Sequence, residues 1–154
     1  MTATISRPKI SNWETSNIPD LIGKTALITG ANSGLGYYTA KALAKNNAHV
    51  IIACRSLEKA NQTIIKLKSL NPKGIFTPLE LDLSDLKNVV EVQSKIFDDF
   101  ENLDLLINNA GIMHPPKTLS VQGYEIQFAV NHLAHMLLTL KLLPIMKKKR
   151  SREL

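Results

Sequence analysis

The 154 residues are 44% hydrophobic and 21% charged, a balance that fits one globular domain with its own apolar core and excludes a disordered or fibrous chain. The formal charge of +6 is uneven, because Lys147 to Leu154 carry +4 of it, so no broad basic surface is expected elsewhere. Cys54 is the only cysteine, which excludes an internal disulfide and makes a reducing cytoplasm the expected location.

Residues 1–20 read as an arm, with Pro8, Pro19 and a lone Trp13 expected to pack on the domain surface. The polar stretch through Asn17 lacks the apolar segment of a signal peptide. No uninterrupted apolar run is long enough to span a bilayer, so no membrane partner is expected. Residues 21–146 read as the domain. Gly23-Lys24 turns the chain into a first strand, about Thr25 to Thr29, followed by the turn Gly30-Ala31-Asn32-Ser33-Gly34-Leu35-Gly36. A helix follows from about Leu35 to Lys45 and ends at Asn46-Asn47.

The apolar run His49 to Ala53 predicts a second strand covered on both faces. Ser56 is a candidate N-cap for an amphipathic helix carrying Leu57, Ala60, Ile64 and Leu67, which Asn71-Pro72-Lys73-Gly74 terminates. A third strand, about Ile75 to Leu81, ends at Asp82. Ser84 is then expected to cap a helix with Leu86, Val89, Val90, Ile96, Phe97 and Phe100 on its apolar face. A fourth strand, Leu103 to Ile107, runs into Asn108-Asn109-Ala110-Gly111. A long helix is expected from about Tyr124 to Met146, with Pro144 near its last turn. Its apolar stripe reads Ile126, Val130, Leu133, Leu137 and Leu140, with Phe128, Met136, Leu138 and Leu143 off the stripe. Residues 147–154 form a basic tail. It lacks interleaved aromatics or a groove-reading motif, so a solvated helix end is expected rather than a nucleic-acid partner.

Strands and helices alternate throughout. That pattern predicts an α/β protein with a Rossmann-type doubly wound parallel sheet of about four strands in the order 3-2-1-4, incomplete on its C-terminal side. Such sheets bind ligands beside the first strand, where the order reverses. The glycine turn stands at that point. Gly30 allows a tight reversal, Gly34 lets a phosphate approach the backbone, and Gly36 lets the helix lie close to the strand. The helix N-terminus offers free N–H groups to an anion.

Three further constellations accompany the turn. Arg55 follows the second strand where an acid would bind the ribose of NAD. No acid lies in Ala53-Cys54-Arg55-Ser56, so Arg55 favours the 2′-phosphate of NADP over NAD, unless it is a plain surface arginine. Asp82, with Leu83, is placed either to hold an adenine or to start the next helix. Asn108 to Gly111 combines amides that can tie strand ends together with small residues that admit a ligand. Cys54 reads as a small packed residue rather than a thiolate. His132 and His135 share helical spacing but lack a third ligand, so no metal is expected. Asn131 is expected to hold a water or distort its helical turn. Tyr37 and Lys41 form a Tyr-x-x-x-Lys at the pyrophosphate end, the wrong place for chemistry at a nicotinamide.

Assembled in this order, the residues resemble the short-chain dehydrogenase/reductase family from about Asp20 to Met146. Thr29 to Gly36 matches its Thr-Gly-x-x-x-Gly-x-Gly motif. Ala53-Cys54-Arg55-Ser56 and Val130-Asn131-His132-Leu133 look most like its retinol-dehydrogenase-like and WW-domain-oxidoreductase-like branch. Light-dependent protochlorophyllide reductases are a weaker likeness. The resemblance implies NADP binding by Gly30, Asn32, Ser33, Gly34, Leu35, Gly36, Arg55, Asp82, Leu83, Asn109, Ala110 and Gly111. It implies hydride transfer on a carbonyl/alcohol pair and a place for Asn131 in the catalytic proton relay. It also implies dimer contacts through the long helix. The family's catalytic Ser and Tyr-x-x-x-Lys have no counterpart in the expected place. The chain is therefore expected to be a truncated or frame-shifted, inactive fragment, or else a non-catalytic NADP(H)-binding or dimerisation module.

Overall fold

A computed structural model describes residues 13–147. Most of the arm and nearly all of the basic tail lie outside the described residues. Trp13, at the end of the arm, is 57% exposed and belongs to neither apolar core.

Four parallel strands form one sheet: β1 (Thr25–Thr29), β2 (His49–Cys54), β3 (Ile75–Glu80) and β4 (Leu105–Ile107), in the order β3-β2-β1-β4. This is the 3-2-1-4 order expected from the sequence. Thr25 pairs with His49 and Ala26 with Leu105, which brings the C-terminal ends of β1, β2 and β4 to one edge of the sheet. Pro78 sits in β3 opposite Ile52 and is tolerated because β3 is an edge strand.

Alternate residues of the central strands feed two cores. Ile28, Val50 and Ile52 face α1 (Gly34–Lys45) and α2 (Leu57–Leu70) through Ala40, Ala44, Ala60, Ile64 and Leu67. Leu27 and Ile51 face the other way, onto α3 (Leu86–Asp99) and the last helix through Val89, Val92, Ile96, Leu138 and Leu142. Both faces are thus covered, which is why β1 and β2 read as unbroken apolar runs.

Element boundaries differ from the sequence expectation in instructive ways. Helix α3 is capped by Asp85, whose carboxylate accepts from Lys87 N, and not by Ser84. Ser84 is already committed: its N–H and hydroxyl both donate to Asp82 Oδ1, at 2.9 and 2.7 Å. Strand β4 begins at Leu105, because Asp104 uses its carboxylate to accept from Thr25 N and to pair with Lys24 at 3.1 Å. Glu125, not Tyr124, starts the last helix by accepting from Gln127 N and Phe128 N.

That last helix, α4, changes pitch along its length. Ile126–Phe128 is α-helical, Ala129–Leu133 is a π turn, and Ala134–Lys147 is α-helical again. The Ala134 N–H reaches back five residues to the Ala129 carbonyl. The extra residue rotates everything that follows. Its buried side is Val130, Ala134, Leu138 and Leu142, while Leu140 is 54% exposed. The predicted stripe therefore fails at Leu140, Ile126 and Leu137 pack at the edge of the core, and Leu138, placed off the stripe, belongs within it. By length and composition Ile126–Met146, with mean hydropathy 1.3, is apolar enough to cross a membrane, although Asn131, His132, His135 and Lys141 interrupt its apolar run. In this fold its buried side packs on α3 and the sheet.

Candidate functional site

The glycine turn leaves the end of β1 and enters α1. Gly30 has φ +66°, and its N–H donates to the Ala53 carbonyl at 2.8 Å, joining the ends of β1 and β2. A Cβ on Gly36 would lie 2.5 Å from Asn109 Nδ2 and 2.6 Å from the Gly30 carbonyl, so no side chain fits there. Gly34 is the opposite case. It has φ +54°, and a Cβ would meet no protein atom within 4 Å. The turn is closed where helix meets strand and open where a phosphate would lie. Ser33 stands at the N-cap of α1 without a side-chain cap, which leaves the helix's first N–H groups available to an anion.

Thr29 and Asn109 lock this turn to the end of β4. The Asn109 and Ala110 N–H groups donate to Thr29 Oγ1 at 2.9 and 3.0 Å, and Asn109 Nδ2 donates to the Thr29 carbonyl at 2.9 Å. The expectation that these amides tie strand ends together is met. Asn108 does the same toward α4, donating to Thr139 Oγ1 at 2.9 Å. Asn131 sits in the π turn. Its side chain accepts from Ile112 N at 2.9 Å and donates to the Ile112 carbonyl at 2.8 Å. It lies within the distorted turn and clamps the loop after β4.

A cavity of about 390 Å³ opens along these strand ends. Of the expected binding residues it is lined by Gly30, Asn32, Arg55, Asp82, Leu83, Ala110 and Gly111. Ser33, Gly34, Leu35, Gly36, Asn109 and Asn131 do not line it. Ser33, Gly34 and Leu35 are exposed, whereas Gly36 and Asn109 support the wall from behind. Sequence reasoning missed Ser56, Lys59, Ser84, Ile112, Ile126 and Val130 in the lining. Lys59 is the informative omission. It stands four residues past Arg55, its backbone N–H held by the Ser56 hydroxyl, so two cations face one rim. A lysine in a first helical turn otherwise reads as merely solvated.

Asp82 combines both sequence readings. Its carboxylate organises the start of α3 through Ser84, its N–H is held by the Asn88 side chain at 2.8 Å, and it also lines the cavity. Cys54 donates its thiol to the Ser56 carbonyl at 3.2 Å, and burial pushes its pKa up, so it is a packed thiol. His135 is buried against Thr29, whereas His132 is exposed and stacks on Phe128 with ring centroids 5.3 Å apart. Among the described residues no group of metal-ligating side chains occurs. Tyr37 packs against the α1–α2 core and lines no part of the cavity.

These features fit an adenine dinucleotide. An open glycine turn at a helix N-terminus suits a pyrophosphate, two cations suit a further phosphate, and Asp82, Leu83 and Ala110 in the lining offer polar and apolar groups to a base. The comparisons agree. Residues 24–153 match the family model described as short chain dehydrogenase. Retinol dehydrogenase 13 of Homo sapiens is 42% identical over 125 residues, covering 81% of this chain and 38% of its own. A crystal structure from Mycobacterium paratuberculosis superimposes with TM-score 0.75 at 41% identity, over 86% of this chain and 46% of that one. The NADP complex of RhlG from Pseudomonas aeruginosa gives TM-score 0.70 at 28% identity, over 84% and 48%. The chain spans between 35% and 46% of the length of such curated relatives. With its turn, strand order and motif match in agreement, the chain belongs to the short-chain dehydrogenase/reductase family.

Proposed function

We propose that this chain is the cofactor-binding portion of an NADP-dependent oxidoreductase of the retinol-dehydrogenase-like branch, acting on a small-molecule carbonyl/alcohol pair. The observation that carries the cofactor choice is the pair of cations, Arg55 and Lys59, on a cavity rim whose strand end, Ala53 to Ser56, has no acid to repel a 2′-phosphate. The 42% identity to retinol dehydrogenase 13 and the likeness to an NADP complex support it. The backbone from Gly34 to Gly36 binds the pyrophosphate, with Asn32, Ser33 and Leu35 shaping the turn. Asp82 and Leu83 frame the adenine, and Ala110 and Gly111 let the ligand lie close. When bound, the nicotinamide supplies or accepts the hydride. Asn131 holds the loop at Ile112 and so sets the wall near the reacting end.

No tyrosine follows Asn131, so no Tyr-x-x-x-Lys stands where the family's proton donor is expected. In this reading the 154 residues by themselves bind NADP(H) without turning it over, and the compartment we propose is the cytoplasm, from the single cysteine, Cys54. The test is a fluorescence titration with NADPH and NADH, followed by a panel of aldehydes and ketones. NADPH is expected to bind at least about ten-fold more tightly than NADH, a difference of ~1.4 kcal/mol. Equal affinities would remove the NADP assignment, and steady NADPH oxidation would remove the claim of inactivity.

A second reading is an interaction module. β4 ends the described sheet, and α4 exposes Met136 and Leu140, which suits pairing with another copy through the last helix. Sedimentation showing a monomer at micromolar concentration would count against it.

A further inference from the structure

The Thr29 hydroxyl is shared among three elements. Its oxygen accepts the Asn109 and Ala110 N–H groups, lies 2.9 Å from His135 Nε2, and is 3.5 Å from the Ile107 carbonyl. A hydroxyl has two lone pairs and one proton. Both lone pairs are taken by N–H groups, so the proton must be donated outward, and His135 Nε2 is the nearer acceptor. That nitrogen must then carry no proton. The ring's single proton sits on Nδ1, which faces the Asn131 carbonyl at 3.3 Å. Thr139 extends the seam, donating to the His135 carbonyl at 2.7 Å and accepting from Asn108. Asn131, His135 and Thr139 follow at intervals of four, so one side of α4 is bonded to the β1 and β4 ends at three levels.

We propose that His135, in its neutral Nδ1–H form, is a positioning residue that latches α4 to the end of β1 and thereby sets the Ala110–Gly111 wall of the cavity. Protonation turns Nε2 into a donor facing an oxygen with no lone pair left. Either the Asn109 or the Ala110 N–H must then lose its acceptor, and the wall shifts. The groups around the ring are uncharged: Thr29 on β1, Asn109 and Ala110 on the loop, Asn131 and Thr139 on α4. Burial lowers the His135 pKa, and no charged side chain contributes to that shift. The effect on ligand binding rests on the NADP reading above; the hydrogen-bonded latch does not.

Two measurements on the intact chain separate these claims. Two-bond proton–nitrogen NMR correlations of the histidine rings should show His135 as the Nδ1–H tautomer near neutral pH. An Nε2–H tautomer would overturn the latch whatever the chain binds. NADPH affinity should fall by up to about ten-fold per pH unit below the His135 pKa, the slope of one proton. His135→Gln, whose amide oxygen can still accept from Thr29, should keep its affinity through that acid range, while His135→Leu should bind weakly at every pH. Identical pH profiles for wild type and His135→Gln would sink the proposal. Should NADPH fail to bind at any pH while the Nδ1–H tautomer is seen, the latch stands and the cofactor reading falls.

Discussion

Two glycines in one turn carry opposite constraints, and substitution should separate them. Gly36→Ala pushes a methyl into Asn109 Nδ2, which cannot yield without breaking its bond to the Thr29 carbonyl, and into the Gly30 carbonyl, which is backbone. It should cost about 1–3 kcal/mol of stability by overpacking, read from denaturant melts. Gly34→Ala meets no protein atom and strains only a φ of +54°. Its stability loss should be about 1 kcal/mol, while NADPH affinity drops more steeply because the methyl stands where the phosphate would. If both variants lose stability alike and bind alike, the open side of the turn is not the binding side. Arg55→Ala and Lys59→Ala test the neighbouring rim. Each should weaken NADPH by about five- to thirty-fold and leave NADH nearly unchanged, since exposed charge-assisted contacts are worth about 1–2 kcal/mol. A parallel loss for both nucleotides would make these residues general phosphate binders.

At the scale of elements, the last helix shows where sequence pattern stops and packing begins. The π turn at Ala129–Leu133 moves the buried side onto Leu138 and Leu142, both 0% exposed, and leaves Leu140 largely in solvent. Leu138→Ala should therefore cost about 2–5 kcal/mol, whereas Leu140→Ala should stay within about 0.5 kcal/mol. Equal effects would mean an unbroken α-helical stripe. The alternation of strands and helices, the glycine turn, and the candidate residues Arg55, Asp82 and Asn109 were legible because each rests on local spacing. The π turn was not, since an i+4 run reads the same as ordinary helical periodicity until the partner surface is known. Nor was the Thr29–His135 bond, which joins residues 106 apart. Lys59 was missed because only the closure of β2 and α2 around one rim gives it a partner for Arg55. The cap at Asp85 was missed because Asp82, two residues before Ser84, competes for the same hydroxyl.

For the whole molecule, one buried and one half-buried imidazole make acid stability a sharp readout. His135 lies between β1 and α4, and His49 bonds Thr77 at 2.8 Å between β2 and β3, beside Phe100. Burial lowers both pKa values from 6.5. The unfolded chain, with ordinary histidines, takes up these protons first as the pH falls. Stability should therefore be fully present above about pH 7 and decline as pH drops below the unfolded value of ~6.5 toward the lowered folded values. Asp85 is lowered from 3.8, chiefly by the Gln122 hydrogen bond, and so acts only in a more acidic range. Urea midpoints measured across this range should thus begin to fall well before carboxylates titrate. Replacing both histidines, as His49→Gln with His135→Gln, should flatten that early decline. A wild-type midpoint constant down to about pH 5 would show that neither imidazole is held neutral by the fold.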